Sequence, residues 1–346
     1  MNNIDNILNF WKNKNVLITG NTGFKGSWLS MFLNQLNSNV FGISDFKIVS
    51  DNYKRSDIKG VFQKEFKLDI LNKEELDDIL NNQIDIVFHL AAQGIVSTAS
   101  KFPLKTIETN IIGTYNVLDS SNNKGINTLV ISTTDKVYLN SSNKNIESDH
   151  LGGKEFYSAS KASSEHIISA FTNTKSNDNF HVGVVRSGNV LGGGDGGKGR
   201  IVTDVVNSLR NQEDIILRNP NAIRPWQYVL DSLLGYLLTA QYCFENKTNE
   251  IFNLNSEKNN GFTVRNLVEE ICDSWPNKSS NIIIRSSDLY ETEVLTIDST
   301  KANKKLNWNA QTDLKSLAKF IVEWELNIFN DSKFSFKQLN KYIENL

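Results

Sequence analysis

The residues best able to do chemistry stand in three short stretches. Thr134, Asp135 and Lys136 lie in STTDKVY, directly after the apolar run NTLVI. An acid and an ammonium side by side at the end of a buried strand can hold and pass protons. A simple loop salt bridge is the competing reading. Tyr157 and Lys161 follow in YSASK. Four residues apart, they share one face of a helix. A lysine beside a phenol favours phenolate and lowers a pKa that is about 10 when free. Such a phenolate can take a hydroxyl proton while hydride leaves the same carbon. Tyr-x-x-x-Lys also occurs by chance, so its context matters.

That context is a glycine turn. Gly20, Gly23 and Gly26 are spaced G-x-x-G-x-x-G around Thr22 and Phe24, after the strand-like run NVLITG and before the helical run SWLSMFLNQLN. Glycines there allow a tight turn and close approach to a pyrophosphate, with helix N–H groups facing the anion. Placement between a first strand and a first helix raises the pattern well above a bare motif. Asp45, at the end of the second strand NVFGIS, could bond an adenosine ribose and would favour NAD over NADP; a solvated loop acid is the alternative. The four histidines, His89, His150, His166 and His181, have no ligand spacing, so no metal is expected. His89 reads as a satisfied strand-end histidine.

The elements around these stretches alternate. Strands are expected at 15–20, 39–44, 84–92, 127–133 and 181–190, with FKLDI short and extended. Helices are expected at 27–37, in KEELDDILNN, in TIETNIIGTYNVLDSSNN and at 158–173. Apolar strands alternating with helices imply an α/β fold of Rossmann type, a doubly wound parallel sheet covered on both faces. Sites in such folds sit at the carboxyl ends of the strands. Residues 1–190 read as the dinucleotide-binding domain. Residues 191–346, opening with LGGGDGGKGR, read mainly as a smaller mixed α/β substrate lobe that returns to the sheet around 222–255. The polar run NSSNKNIESD (140–149) reads as a surface loop.

The bulk numbers exclude several classes. The chain has 346 residues, 39% hydrophobic and 22% charged, with 37 basic and 39 acidic residues, a net charge of −2. No basic stripe points to nucleic acid as partner, and no apolar run reaches the roughly 18 residues of a membrane span. Two distant cysteines, Cys243 and Cys272, suit packed thiols in a reducing compartment. With no secretory signal at the N-terminus, a cytoplasmic location is expected.

Together the pieces resemble the extended short-chain dehydrogenase/reductase family, and within it the CDP-glucose 4,6-dehydratases. The resemblance runs from Phe10 and Trp11 to Trp324, through FWKNKNVLITGNTGFKGSWLS, FHLAAQ, STTDKVY, LGGKEFYSASK, RSGNVLGGGD, AIRPWQYVLDSLLGYL and LTIDSTKANKKLNW. It implies NAD as cofactor, a nucleotide sugar as substrate and a homodimer formed through helices that include the one after Tyr157. By this resemblance Tyr157 takes the 4-hydroxyl proton, Lys161 lowers its pKa and Thr134 bonds the 4-oxygen. Asp135 protonates the departing C6 hydroxyl. Lys136 either handles the C5 proton or tunes Asp135. Asp69 and Ile70 match the adenine side; Ala91, Ala92 and Gln93 line the nicotinamide ribose side, and Asn110 supports the site. Asn189, Arg200 and Arg224 anchor the substrate, the arginines by bidentate contacts to a pyrophosphate. For Arg200 a surface ion pair is a serious competitor.

The chain departs from that pattern in places. Gly94-Ile95-Val96-Ser97 stands where the family has Pro-Leu-Val-Arg, Gly196-Gly197 replaces Trp-Ala, and Tyr290-Glu291 replaces His-Glu. The runner-up activity is a 4-epimerase or ketoreductase on another nucleotide sugar, which would need no acid at Asp135. A non-catalytic NAD-sensing protein would be expected to lose Tyr157, Lys161 or Thr134, and all three are present.

Overall fold

Every second residue of a strand faces the same side of its sheet, so a strand covered on both faces must be apolar at both parities. NVLIT and IVFH meet this condition. In the computed structural model Val16 and Ile18 enter one core and Leu17 the other; Phe88 and Val87 divide in the same way. The structure describes residues 3–80, 83–139, 144–197, 199–276, 280–285 and 294–346.

The strands are β1 (Asn15–Thr19), β2 (Asn39–Ser44), β3 (Phe62–Lys67), β4 (Ile86–His89), β5 (Thr128–Thr134), β6 (His181–Ser187), β7 (Val190–Leu191), β8 (Ile215–Leu217), β9 (Gln227–Tyr228), β10 (Glu250–Leu254) and β11 (Ile282–Ile284). Seven form one sheet in the order β10-β6-β5-β4-β1-β2-β3. All its described pairings are parallel. The order reverses between β1 and β4, which opens a crevice at their carboxyl ends. Two small parallel pairs, β7 with β9 and β8 with β11, stand outside the sheet.

Three expectations are corrected. FKLDI is not the third strand; β3 begins four residues earlier, in FQKEFK. It is an edge strand with exposed polar side chains, so its pattern lacks the apolar run of a central strand. The helix after β1 starts at Phe24, so the last glycine of the turn lies inside it, and another helix, Asn3–Trp11, precedes the sheet. The expected long helix at 106–123 is interrupted by a π turn, Glu108–Ile112. Outside the named strands, Val294 and Ile297 make isolated bridges to Ile223 and Asn145. Tyr290 and Glu291, and residues 140–143 of the polar run, lie outside the described residues.

His89 is fully buried at the end of β4. Its Nδ1 lies 2.8 Å from Thr19 Oγ1 and its Nε2 3.0 Å from Thr114 Oγ1. Thr114 donates to the Asn110 carbonyl oxygen, so Nε2–H donates to Thr114 and Nδ1 accepts from Thr19. Burial, and secondarily Lys161, hold the imidazole neutral, with a pKa down at about 3. Its ordinary value is 6.5, so the stability tied to the neutral ring is complete above that pH and is lost as pH falls towards 3. His89→Gln should lose less stability than the wild type between pH 7 and pH 4, by about 3 kcal/mol. Equal urea midpoint shifts for the two proteins would refute this.

The C-terminal helices close over the helix Phe24–Gln35. Asn52 is fully buried and donates from Nδ2 to Ser27 Oγ at 2.9 Å. Its Oδ1 accepts from Ser56 at 2.8 Å and from Ser335 at 2.7 Å. Trp324 Nε1 donates to Ser335 Oγ, and its ring leaves no room for a Cβ at Gly193. Among the described residues no helix is long and apolar enough to cross a membrane.

Candidate active site

The glycine turn lies at the switch point. Gly20 has φ +75°, and a Cβ there would fall 2.8 Å from the Ala91 nitrogen across the crevice. A Cβ on Gly26 would fall 2.1 Å from the Gly20 carbonyl oxygen, and one on Gly23 3.2 Å from it. Gly23 caps the helix Phe24–Gln35 without a side chain. The backbone N–H groups of the first turn therefore face the crevice bare, a cradle suited to a pyrophosphate. Gly26→Ala should weaken dinucleotide binding at least tenfold, because its Cβ cannot be housed without moving the turn. Calorimetric titration checks this; unchanged affinity in a folded variant would refute it.

Thr22 holds the turn to β2: its hydroxyl lies 2.7 Å from Ser44 Oγ and donates to the Ile48 carbonyl oxygen at 2.8 Å. Asp45 follows at the end of β2, where Lys47 sits 3.1 Å from it and 3.6 Å from Asp69. Asp69 also accepts from the Leu71 N–H, and Ile70 is buried beneath it against Gly113. Ala91 donates its N–H to Thr19 Oγ1 at 3.3 Å, and Ala92 follows in the crevice. The Gln93 N–H donates to Asn110 Oδ1 at 2.8 Å, while Asn110 Nδ2 donates to the Gln93 carbonyl and to Ser160 Oγ. Asn110 stands in the π turn, the local widening that lets a helical side chain reach a neighbouring loop and a neighbouring helix together.

Two loops bring the strand end to the tyrosine. Leu139 N–H donates to the His150 carbonyl and Gly152 N–H to the Val137 carbonyl, zipping the segment after β5 to the one before the helix Phe156–Thr174. Glu155 caps that helix, accepting from the N–H groups of Tyr157 and Ser158 at 2.7 and 2.8 Å. Gly153 (φ +135°) lies against the Ala159 backbone, where a Cβ would come within 2.4 Å. Thr134 ends β5, donates to Asp135 Oδ1 at 3.0 Å and accepts from the Lys136 N–H at 3.3 Å.

Electrostatics separates these groups. Asp135 is 3% exposed, and its Oδ2 finds no hydrogen-bond partner among the described residues. Burial raises its pKa despite Lys136, Thr134 and Arg224. Burial also pushes the Tyr157 phenol up to about 12, against a hydrogen bond with Thr134 and the charge of Arg200. This differs from the expectation that Lys161 lowers that pKa. The Lys161 ammonium instead donates to the Ser132 carbonyl oxygen at 2.9 Å, and burial brings its own pKa down to about 8.

The substrate candidates fall into two kinds. Arg224 is buried near Asp135, with Nη1 donating to the Ile223 carbonyl. Arg200 is paired with Asp195 at 2.8 Å, with its side chain 41% exposed, so the ion pair weighed against it does form. The Asn189 carbonyl oxygen accepts from Gln227 N–H, joining the loop after β6 to β9. The sequence reading passed over Lys25 and Tyr236. Lys25 Nζ donates to Ser132 Oγ at 3.1 Å and to the Tyr236 hydroxyl at 2.9 Å, directly beside Lys161. The signal was a charged residue inside GFKG, a turn that otherwise asks for small or apolar residues.

Packing alone requires no buried acid, buried ammonium and bare backbone turn at one crevice; together they define a Rossmann-type enzyme that works with a bound dinucleotide. The chain belongs to the NAD dependent epimerase/dehydratase family, whose pattern matches residues 16–254. It is 35% identical over 329 residues to CDP-glucose 4,6-dehydratase of Salmonella typhimurium, covering 91% of each chain. It is 26% identical over 340 residues to dTDP-glucose 4,6-dehydratase of Escherichia coli, covering 90% of this chain and 92% of that protein. Its fold matches UDP-glucose 4-epimerase from Stenotrophomonas maltophila, solved with bound NAD and formylated UDP-arabinopyranose. The TM-score is 0.82 at 20% identity, covering 92% and 99% of the two chains.

Proposed function

We propose that this chain is a nucleotide-sugar 4,6-dehydratase that converts CDP-glucose to CDP-4-dehydro-6-deoxyglucose and water. One observation carries the reading: a buried acid, Asp135, whose pKa is raised, stands beside Thr134 at the mouth of the sheet. A 4-epimerase breaks no bond at C6 and has no use for such an acid. The likeness to CDP-glucose 4,6-dehydratase over 91% of the chain supports the same reading.

The residues divide the work. NAD, when bound there, would supply the hydride acceptor for C4 and the hydride donor for C6. The turn from Gly20 to Gly26 would hold its pyrophosphate, Asp45 and Asp69 its adenosine end, and Ala91, Ala92 and Gln93 its nicotinamide side. Tyr157 takes the 4-hydroxyl proton while Thr134 bonds the 4-oxygen. The C4 ketone makes the C5 proton acidic, because the carbanion is conjugated with it. Asp135, whose pKa burial raises, donates to the C6 hydroxyl as water leaves. Lys136 lies next to Asp135 for the C5 proton. Arg224, Arg200 and Asn189 face the nucleotide sugar.

We further propose a cytoplasmic homodimer. The two cysteines are buried and free, which suits a reducing compartment. Phe102 and Leu104 are 62% and 67% exposed, and Ile112 and Phe156 about half exposed, on or between helices that pack beside one another. Leu104→Glu should convert a dimer to a monomer in light scattering; a wild-type monomer would end this reading.

The function is tested with purified protein, NAD and CDP-glucose in heavy water, followed by mass spectrometry of the sugar nucleotide. Loss of one water with gain of one deuterium is expected. An unchanged mass with CDP-glucose and with dTDP-, UDP- and GDP-glucose would overturn it.

A further inference from the structure

Two lysines converge on one serine. Lys161 Nζ donates to the Ser132 main-chain oxygen at 2.9 Å, and Lys25 Nζ donates to the Ser132 side-chain oxygen at 3.1 Å. The second ammonium is anchored by Tyr236, which is fully buried on the helix Val229–Asn246. The Tyr236 oxygen lies 2.9 Å from Lys25 Nζ and 2.7 Å from Ser132 Oγ, with Ser187 Oγ at 3.4 Å. The Lys25 ammonium also lies 5.2 Å from the centre of the Tyr236 ring. Packing does not explain this arrangement, because like charges resist being brought together where water is scarce.

We propose that Lys25 and Tyr236 form a second lysine–tyrosine pair, in which Tyr236 pins the Lys25 ammonium to Ser132 so that its charge keeps Lys161 poised to give up and regain a proton. Both are positioning residues; neither needs to touch substrate. The proposal rests on the reading of Tyr157 as the group that takes the 4-hydroxyl proton, with Lys161 one helical turn behind it to relay that proton. The surroundings of Lys161 support it. Its own helix supplies Glu165, the opposing charge, but Glu165 is already bound to Arg186 and Thr133. From β4 comes His89, which is neutral, and one turn back on its own helix stands the Tyr157 phenol. Lys25 is thus the cation that acts on Lys161. Burial is the larger cause of its lowered pKa and Lys25 the second. Burial would raise the Tyr236 phenol, yet Lys25 and the hydroxyls around it bring that pKa down, as expected of an oxygen that shares its proton with an ammonium.

The test is a pH titration of the full chain carrying isotope-labelled lysine, followed by magnetic resonance of the Nζ signals, with Lys161→Arg to assign its peak. In the wild type Lys161 should titrate near the value of about 8. In Lys25→Met its midpoint should rise by about one to two pH units, since a neighbouring unit charge is worth a few kcal/mol at such distances. Tyr236→Phe, which removes one oxygen, should shift it the same way by less and guards against a misfolded Lys25 variant. The alkaline limb of kcat/KM should move upward in step. An unmoved Lys161 midpoint in both folded variants overturns the proposal. The titration needs no turnover, so it fails or stands independently of the dehydration assay.

Discussion

Asp135→Asn should still exchange the C5 hydrogen with solvent but should lose water about a hundred- to ten-thousand-fold more slowly than the wild type, the range removed with a general acid. The side chain keeps its shape and can still accept from Thr134, which donates to Oδ1 at 3.0 Å. It loses only the transferable proton. In heavy water the variant should therefore yield a sugar nucleotide one mass unit heavier with its 6-hydroxyl intact. Water loss at the wild-type rate would remove Asp135 from the mechanism. Stability moves the opposite way. Because the folded acid has a raised pKa, the folded state holds more protons than the unfolded one between the ordinary carboxylate value, 3.8, and the raised value. Wild-type stability falls as pH rises through that window, and the amide, which has no charge to bury, is spared the loss. The variant should melt higher than the wild type at neutral pH while failing in catalysis.

Arg186→Leu should cost about 3–5 kcal/mol of stability, the range for removing one partner of a buried ion pair. Arg186 and Glu165 are 2% and 3% exposed, with Nη2 and Oε2 2.5 Å apart and Nε bonded to both carboxylate oxygens. The carboxylate also accepts from Thr133, and Arg186 Nη1 donates to the Tyr138 hydroxyl, which itself donates to Asn253. Deleting the arginine strands a carboxylate behind the helix that carries Tyr157 and Lys161. Deleting both charges, in Glu165→Leu with Arg186→Leu, should recover much of the loss. Urea unfolding of the four proteins checks this. Additive single effects would mean that the pair is not coupled.

The sheet was legible because its central strands are apolar at both parities, and the glycine turn because its spacing sits between a strand and a helix. The tyrosine and its lysine were legible through their spacing. What stayed hidden depended on partners distant in sequence. The strand FQKEFK is polar because it lies at an edge, and nothing local says so. The π turn at Asn110 exists to satisfy Gln93 and Ser160, which lie 17 and 50 residues away. The raised pKa of Asp135 follows from burial by other segments; the neighbouring Lys136 taken alone argues for the reverse. Tyr236 meets Lys25 across 211 residues, so its role becomes visible only once the chain has folded.

The buried Asn52 has a consequence for how the molecule is made. It ties Ser27, in the first turn of the cofactor helix, to Ser335, near the far end of the chain. During synthesis the glycine turn leaves the ribosome early, yet the hydroxyl that completes its support emerges some three hundred residues later. The hydrogen bonds through Asn52 that brace this first turn can therefore be complete only after both segments have been made.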